Sequence, residues 1–282
     1  MFDNDVVSKN FLNNDFLNKD FKKEYQFAIP FPNIVIDNFF NENFLNNVSK
    51  EFPDLSAVNE SQKYENKDEV KFANNDYLQF PSNIKKLIDF MNSKSFLNFL
   101  QNITSIKEKL IADPELNGGG LHEIKSGGYL KIHTDFNKHP NNDLDRRINI
   151  LIYLNKNWKS SYGGDLQLWD KDMLKCQKKI LPIFNRMVIF STNDYSNHGH
   201  PDPIVCPNYI SRKSIALYYF SKGRPVSDIK LNNIKNKTYF KNRLGYNNET
   251  TYKKENIKNF LRKLKIYQTL KNLEKKYFRK RK

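Results

Sequence analysis

Between residues 120 and 220 the chain reads as one short strand after another: "GLHEI", "YLKIHTD", "INILIYLN", "GDLQLWD", "KILPIF", "RMVIFST" and "SIALYYF". Gly, Asn, Asp and Pro separate these runs, and β-branched and aromatic residues fill them. Such spacing leaves no room for the crossover helices that a parallel sheet requires. The segment therefore folds as an antiparallel sandwich or barrel.

The flanks have a different texture. Residues 1–26 are polar with scattered Phe and Leu and read as a loosely docked arm. "IPFPNIVIDNFF" (29–40) is β-branched behind prolines and predicts a strand. "NENFLNNVSKEFP" then places Phe44, Leu45, Val48 and Phe52 at helical intervals, with Pro53 as a stop. "SNIKKLIDFMNS" and "KSFLNFLQNITS" repeat that spacing and predict a helix pair. "DPELNGGG" (113–120) breaks the helical region from the strands. The fold class is thus α+β: a β-core over 115–224, a strand and supporting helices over 27–114, and a tail over 225–282.

That tail carries most of the charge. From position 251 there are thirteen lysines and arginines against Glu255 and Glu274, so +11 of the net +16 lies in it. Ile257, Phe260, Leu261, Leu264, Tyr267 and Leu270 line one side of a helical pattern, and the bases fill the other. Such a helix docks on the body by its apolar stripe, grips RNA or the ribosome through phosphates, or lies on an anionic membrane surface. No nucleic-acid-binding motif accompanies it. Cys176 and Cys206 form neither a disulfide framework nor a zinc spacing. No apolar stretch approaches a membrane span, and the N-terminus lacks a signal-peptide pattern, so a reducing, cytoplasmic setting is expected.

The chemistry points to the β-core. In "GGYLKIHTDF" His133 and Asp135 are two residues apart in a strand pattern and so face the same way. "STNDYSNHGHPDP" supplies His198 and His200, either of which offers a third ligand. Two histidines and one carboxylate on three corners of a metal leave positions open for non-haem Fe(II) oxygen chemistry. Arg212, fourteen residues after His198, enters the apolar strand "SIALYYF" and suits a ligand carboxylate. Lys213 beside it faces the other side. His122 and His139 read as ordinary strand or surface histidines, Arg186 as a strand-edge arginine, and Cys206 as a buried structural thiol. The glycines at 118–120, 127, 128, 163 and 164 follow no phosphate-loop grammar and read as turns and bulges.

In order and spacing, "NILIYLNKNW", "YGGDLQLWD", "RMVIFS", "HGHPDP" and "RKSIALYYFS" resemble the 2-oxoglutarate- and Fe(II)-dependent dioxygenases, on the prolyl 4-hydroxylase-like branch. The resemblance implies a double-stranded β-helix (jelly-roll) core with iron bound by His133, Asp135 and His198. His198 is preferred because the family's distal ligand precedes the Gly, leaving His200 to support the site or line the substrate opening. It further implies that Arg212 pairs with the distal carboxylate of 2-oxoglutarate and that Tyr153, in "IYLNK", hydrogen-bonds the same carboxylate. The implied activity consumes 2-oxoglutarate and O2, hydroxylates an unactivated C–H, and releases succinate and CO2, with ascorbate as reductant. A prolyl residue of a protein is the first substrate to expect; a free amino acid or other small metabolite is the alternative. A non-catalytic β-core tethered to nucleic acid by the tail is the rival class.

Overall fold

The computed structural model describes residues 2–12, 20–229 and 237–243. Up to Lys241 the described residues belong to one compact unit. The basic C-terminal segment, with every role considered for it, lies outside the described residues. No described helix is long and apolar enough to cross a membrane.

The strands are β1 (Asn33–Asp37), β2 (Gln62–Glu65), β3 (Glu69–Asn74), β4 (Ile111–Ala112), β5 (Gly120–Ile124), β6 (Tyr129–Thr134) and β7 (Asp145–Tyr153). They continue with β8 (Leu166–Trp169), β9 (Cys176–Ile180), β10 (Arg186–Ser191), β11 (Asn197–His200), β12 (Arg212–Ser221) and β13 (Tyr239–Phe240). Their order is β1-β10-β7-β12-β5-β3-β6-β11-β8-β9, every pairing antiparallel, with β2 on β3, β4 on β12 and β13 on β6. This curled antiparallel sheet is the jelly-roll core.

β7 shows why the central strands read as unbroken apolar runs. Ile148, Ile150 and Ile152 join the helix-side core, while Leu151 packs with the interior cluster around Tyr153, Val188 and Phe190. A strand covered on both faces has no solvent side to mark with polar residues.

The helices are α1 (Phe21–Gln26), α2 (Glu42–Glu51), α3 (Ser82–Asn92) and α4 (Lys94–Thr104). Asn41 caps α2 by accepting from the backbone N–H groups of Asn43 and Phe44, and Ser93 caps α4 by accepting from Phe96 N. Leu45, Val48, Leu87, Met91, Phe96 and Leu100 are completely buried against the outer face of β7, β10 and β12. Each such side chain contributes about 1.5–3 kcal/mol by leaving water. Tyr219 ties the layers by donating to Met91 O at 3.0 Å.

Three expectations need revision. The described part of the N-terminal arm is docked, not loose: Val6 and Val7 are fully buried, and Val7 bridges to Phe40. The hairpin β2–β3, absent from the sequence reading, inserts β3 between β5 and β6 and so joins the two faces of the barrel. Within the stretch read as helical tail, Tyr239 and Phe240 form strand β13 on β6.

Candidate metal centre

β6 and β11 bring the histidines together. His198 is the direct cross-strand partner of His133, with ring centroids 4.4 Å apart. Asp135 lies just past the end of β6, and its Oδ1 and Oδ2 are 3.6 Å from His133 Nε2 and His198 Nε2 respectively. One ligand atom from each residue lies within 4.8 Å of the others. His133 and His198 are 5% and 4% exposed.

The tautomers follow from the backbone. His133 Nδ1 is 2.8 Å from Lys131 O, and His198 Nδ1 is 2.9 Å from Ser196 O. A carbonyl only accepts, so both Nδ1 atoms carry hydrogen, and both neutral rings turn an Nε2 lone pair toward the carboxylate. A cation among these three ligand atoms would find its donors already oriented, which is the usual outer-shell arrangement for metal-bound histidine. The set of two imidazoles and one carboxylate fits Fe(II).

Charge at the centre is arranged to match. Burial alone would raise the pKa of Asp135. The Arg146 guanidinium outweighs burial and holds the carboxyl well below its usual range. Arg146 Nη2 is 2.9 Å from Asp135 Oδ2, and Asn149 Nδ2 donates to the same oxygen at 3.2 Å. Burial pushes His198 down to about 4, which keeps the ring neutral and able to ligate.

Arg146 was not anticipated, and the reason is geometric. In a regular strand it would share the face of Ile148, Ile150 and Ile152, toward the helices. A register shift places Ile148 opposite Tyr219 but Arg146 opposite Phe220, so β7 carries one extra residue. That bulge turns Arg146 inward, at 1% exposure, with its guanidinium carbon 3.3 Å from the centroid of the Tyr218 ring.

A cavity of about 240 Å³ opens beside the centre. His133, Asp135, His198, His200 and Arg212 all line it. Arg212 donates through Nε to Gly164 O at 2.8 Å and through Nη2 to Tyr153 Oη at 3.0 Å. Tyr153 is completely buried behind Arg212 and is not among the lining residues. The hairpin adds Tyr64, Glu69 and Lys71 to the wall, and β13 adds Phe240, whose ring centroid is 5.5 Å from that of His133. β2 carries no apolar alternation, and that of β3 is confined to Glu69–Phe72, too short a signal to have been read as a strand.

The other histidines depart from the sequence reading. His122, on β5, lines the cavity, and burial together with Lys71 and Arg212 pushes it down to about 3. His139 is buried in a loop and pairs with Asp113 at 3.6 Å. Arg186 holds Asp37 through two 2.7 Å contacts, a structural strand-edge pair, and Cys206 is buried and unpaired.

Residues 119–220 match the family model of the 2OG-Fe(II) oxygenase superfamily. The matched segment coincides with the β-core, from the start of β5 to the end of β12. Among solved structures, a prolyl 4-hydroxylase from Phytophthora capsici is similar at 19% identity with a TM-score of 0.51, covering 78% of this chain and 70% of that one. A prolyl-4-hydroxylase from Pseudomonas putida (13% identity, TM-score 0.49) covers 68% of this chain and 93% of its own. A Trichoplax adhaerens prolyl hydroxylase, solved with a peptide fragment of the hypoxia inducible factor oxygen degradation domain, gives 21% identity and a TM-score of 0.47, covering 74% and 94%. At these identities the Phytophthora likeness concerns the fold.

Proposed function

We propose that this protein is an Fe(II)- and 2-oxoglutarate-dependent dioxygenase that hydroxylates an unactivated C–H, with His133, Asp135 and His198 as the iron ligands. The observation that carries the reading is the pair of imidazoles whose Nδ1–H groups are committed to Lys131 O and Ser196 O while both Nε2 atoms face Asp135. Bound there, Fe(II) would supply the oxidative decarboxylation of 2-oxoglutarate to succinate and CO2 and the transfer of oxygen to the substrate.

The chain's own groups have definable tasks. Arg146 and Asn149 keep Asp135 ionised and fixed in orientation. Arg212, held by Gly164 O and Tyr153, presents its remaining N–H groups to the distal carboxylate of 2-oxoglutarate. Tyr153 thus supports the carboxylate through Arg212. Phe136, Leu151, Leu166 and Phe240 supply apolar wall that limits water around the reacting atoms.

A prolyl residue of a protein is the substrate we would offer first, with ascorbate as reductant. One observation favours a small polar metabolite instead: Lys71 and Glu69 form an ion pair at 3.0 Å with side chains only 15% and 13% exposed, on the cavity wall. We place the protein in the cytoplasm, where two unpaired cysteines are stable. The deciding experiment is succinate formation from 2-oxoglutarate with Fe(II), ascorbate and O2, comparing wild type with His133→Ala. Iron-dependent succinate that disappears in the variant supports the oxygenase; equal succinate in both removes His133 from the site.

A further inference from the structure

His200 is the one lining histidine outside the metal set whose ring nitrogens are both buried with no hydrogen-bond partner. It is 3% exposed. Its orientation is built in. Between the cross-strand pairs His198–His133 and His200–Leu130, two steps along β11 match three along β6, so β6 bulges. Gly199 makes room for that bulge, since a Cβ there would lie 2.7 Å from Lys131 O. Both flanking histidines therefore face the cavity.

His200 lines the same cavity as the metal set and Arg212. Past β11 the chain reaches Ile204, and a Cβ on Gly164 would sit 3.3 Å from the Ile204 side chain and 3.1 Å from Arg212 Cδ. Gly164 O is the acceptor for Arg212 Nε. A 2-oxo acid chelated at the metal and reaching for Arg212 would share this cavity with the His200 ring. Its carboxylate offers about four acceptor positions. Arg212 has already committed Nε to Gly164 and one Nη2 hydrogen to Tyr153, so it cannot saturate that carboxylate alone. The other cations on the wall, Lys71 and Arg146, are engaged by Glu69 and Asp135.

Resting on the dioxygenase reading, we infer that His200 is a positioning residue for the dicarboxylate co-substrate, its ring N–H donating to the distal carboxylate beside Arg212. The consequence is selectivity: His200 favours a 2-oxo acid with a second carboxylate over one that ends in methyl.

The test is calorimetric binding to the full chain loaded with Mn(II) without O2, using 2-oxoglutarate and 2-oxopentanoate. A hydrogen bond to a charged group of ordinary strength predicts that His200→Leu binds 2-oxoglutarate roughly ten- to a hundredfold more weakly. Its affinity for 2-oxopentanoate should be unchanged, which also shows that the variant is folded and metal-loaded. His200→Gln, which restores an N–H donor, should recover much of the lost 2-oxoglutarate affinity. Unchanged 2-oxoglutarate binding in His200→Leu, or an equal loss for both acids, overturns the inference and leaves the dioxygenase reading standing. Wild type that binds neither acid in the presence of Mn(II) overturns that reading itself.

Discussion

His133 and His139 are six residues apart, and each places Nε2 3.6 Å from a buried aspartate oxygen. Both belong to clusters of one histidine or more with acids close enough to hold a metal: His133, Asp135 and His198 in one, Asp113, Glu115 and His139 in the other. The hydrogen bond at Nδ1 separates them. His133 Nδ1 faces a carbonyl and must donate, freeing Nε2 as a lone pair. His139 Nδ1 accepts the backbone N–H of Asn141 at 3.1 Å, so in the neutral ring Nε2 bears the hydrogen and points it at Asp113. The acids differ in the same sense. Asp113 is saturated by Glu115 N, Asn117 N and the Asn117 side chain, whereas Asp135 is held at one oxygen by Arg146 and Asn149 and turns toward two open nitrogens. Proximity of acid and histidine is therefore insufficient to define a metal site. The backbone group behind each ring decides it.

The largest expected effect separates the clusters by metal content. His133→Ala should abolish both metal binding and 2-oxoglutarate turnover, while Asp113→Ala should leave metal content per chain unchanged, measured by elemental analysis after gel filtration. Metal lost equally from both variants would break the comparison. Arg146→Met comes next. It strips Asp135 of its ion pair, and removing one partner of a buried pair costs about 3 kcal/mol or more in the metal-free protein. Metal affinity should fall roughly ten- to a hundredfold, as for other outer-shell substitutions. Wild-type affinity in Arg146→Met would mean Asn149 alone suffices to orient the carboxylate.

Asp113→Ala should act on stability instead. It removes the acceptor from Asn117 N at 2.7 Å and Glu115 N at 3.1 Å, a loss of roughly 1–3 kcal/mol. Thermal unfolding should move down by several degrees, with the same Mn(II)-induced increase in Tm as wild type. A diminished metal-induced increase would show that the second cluster also takes a cation.

How much of this was legible depended on whether strand parity survived into the fold. His133 and Asp135 alternate as a strand predicts, and the register of β11 on β6 puts His198 opposite His133, so the three were readable from spacing and resemblance. The apolar strands of the core were readable because both faces of β7, β10 and β12 are covered. Arg146 was hidden because the β7 bulge reverses parity at that residue. The hairpin carrying Glu69 and Lys71 was hidden because β2 is polar throughout and the alternation in β3 spans only four residues. His139 looked like a surface residue because its loop, "NKHPNNDLD", is polar; its burial comes from packing against Phe220, with ring centroids 4.9 Å apart.

The smallest predicted effect tests the comparison most directly. Long-range ¹⁵N spectra of histidine report which ring nitrogen carries hydrogen. In the metal-free protein His133 and His198 should appear as the Nδ1–H form and His139 as the Nε2–H form. Asn142 also approaches His139 Nδ1, at 3.3 Å, through an amide on an exposed side chain. Asn142→Ala should cost less than about 1 kcal/mol and leave the His139 tautomer unchanged, because the Asn141 N–H still points at Nδ1. If His139 showed the Nδ1–H form instead, its Nε2 would present a lone pair beside Asp113 and Glu115, and the distinction between the clusters would have to rest on the saturation of Asp113 alone.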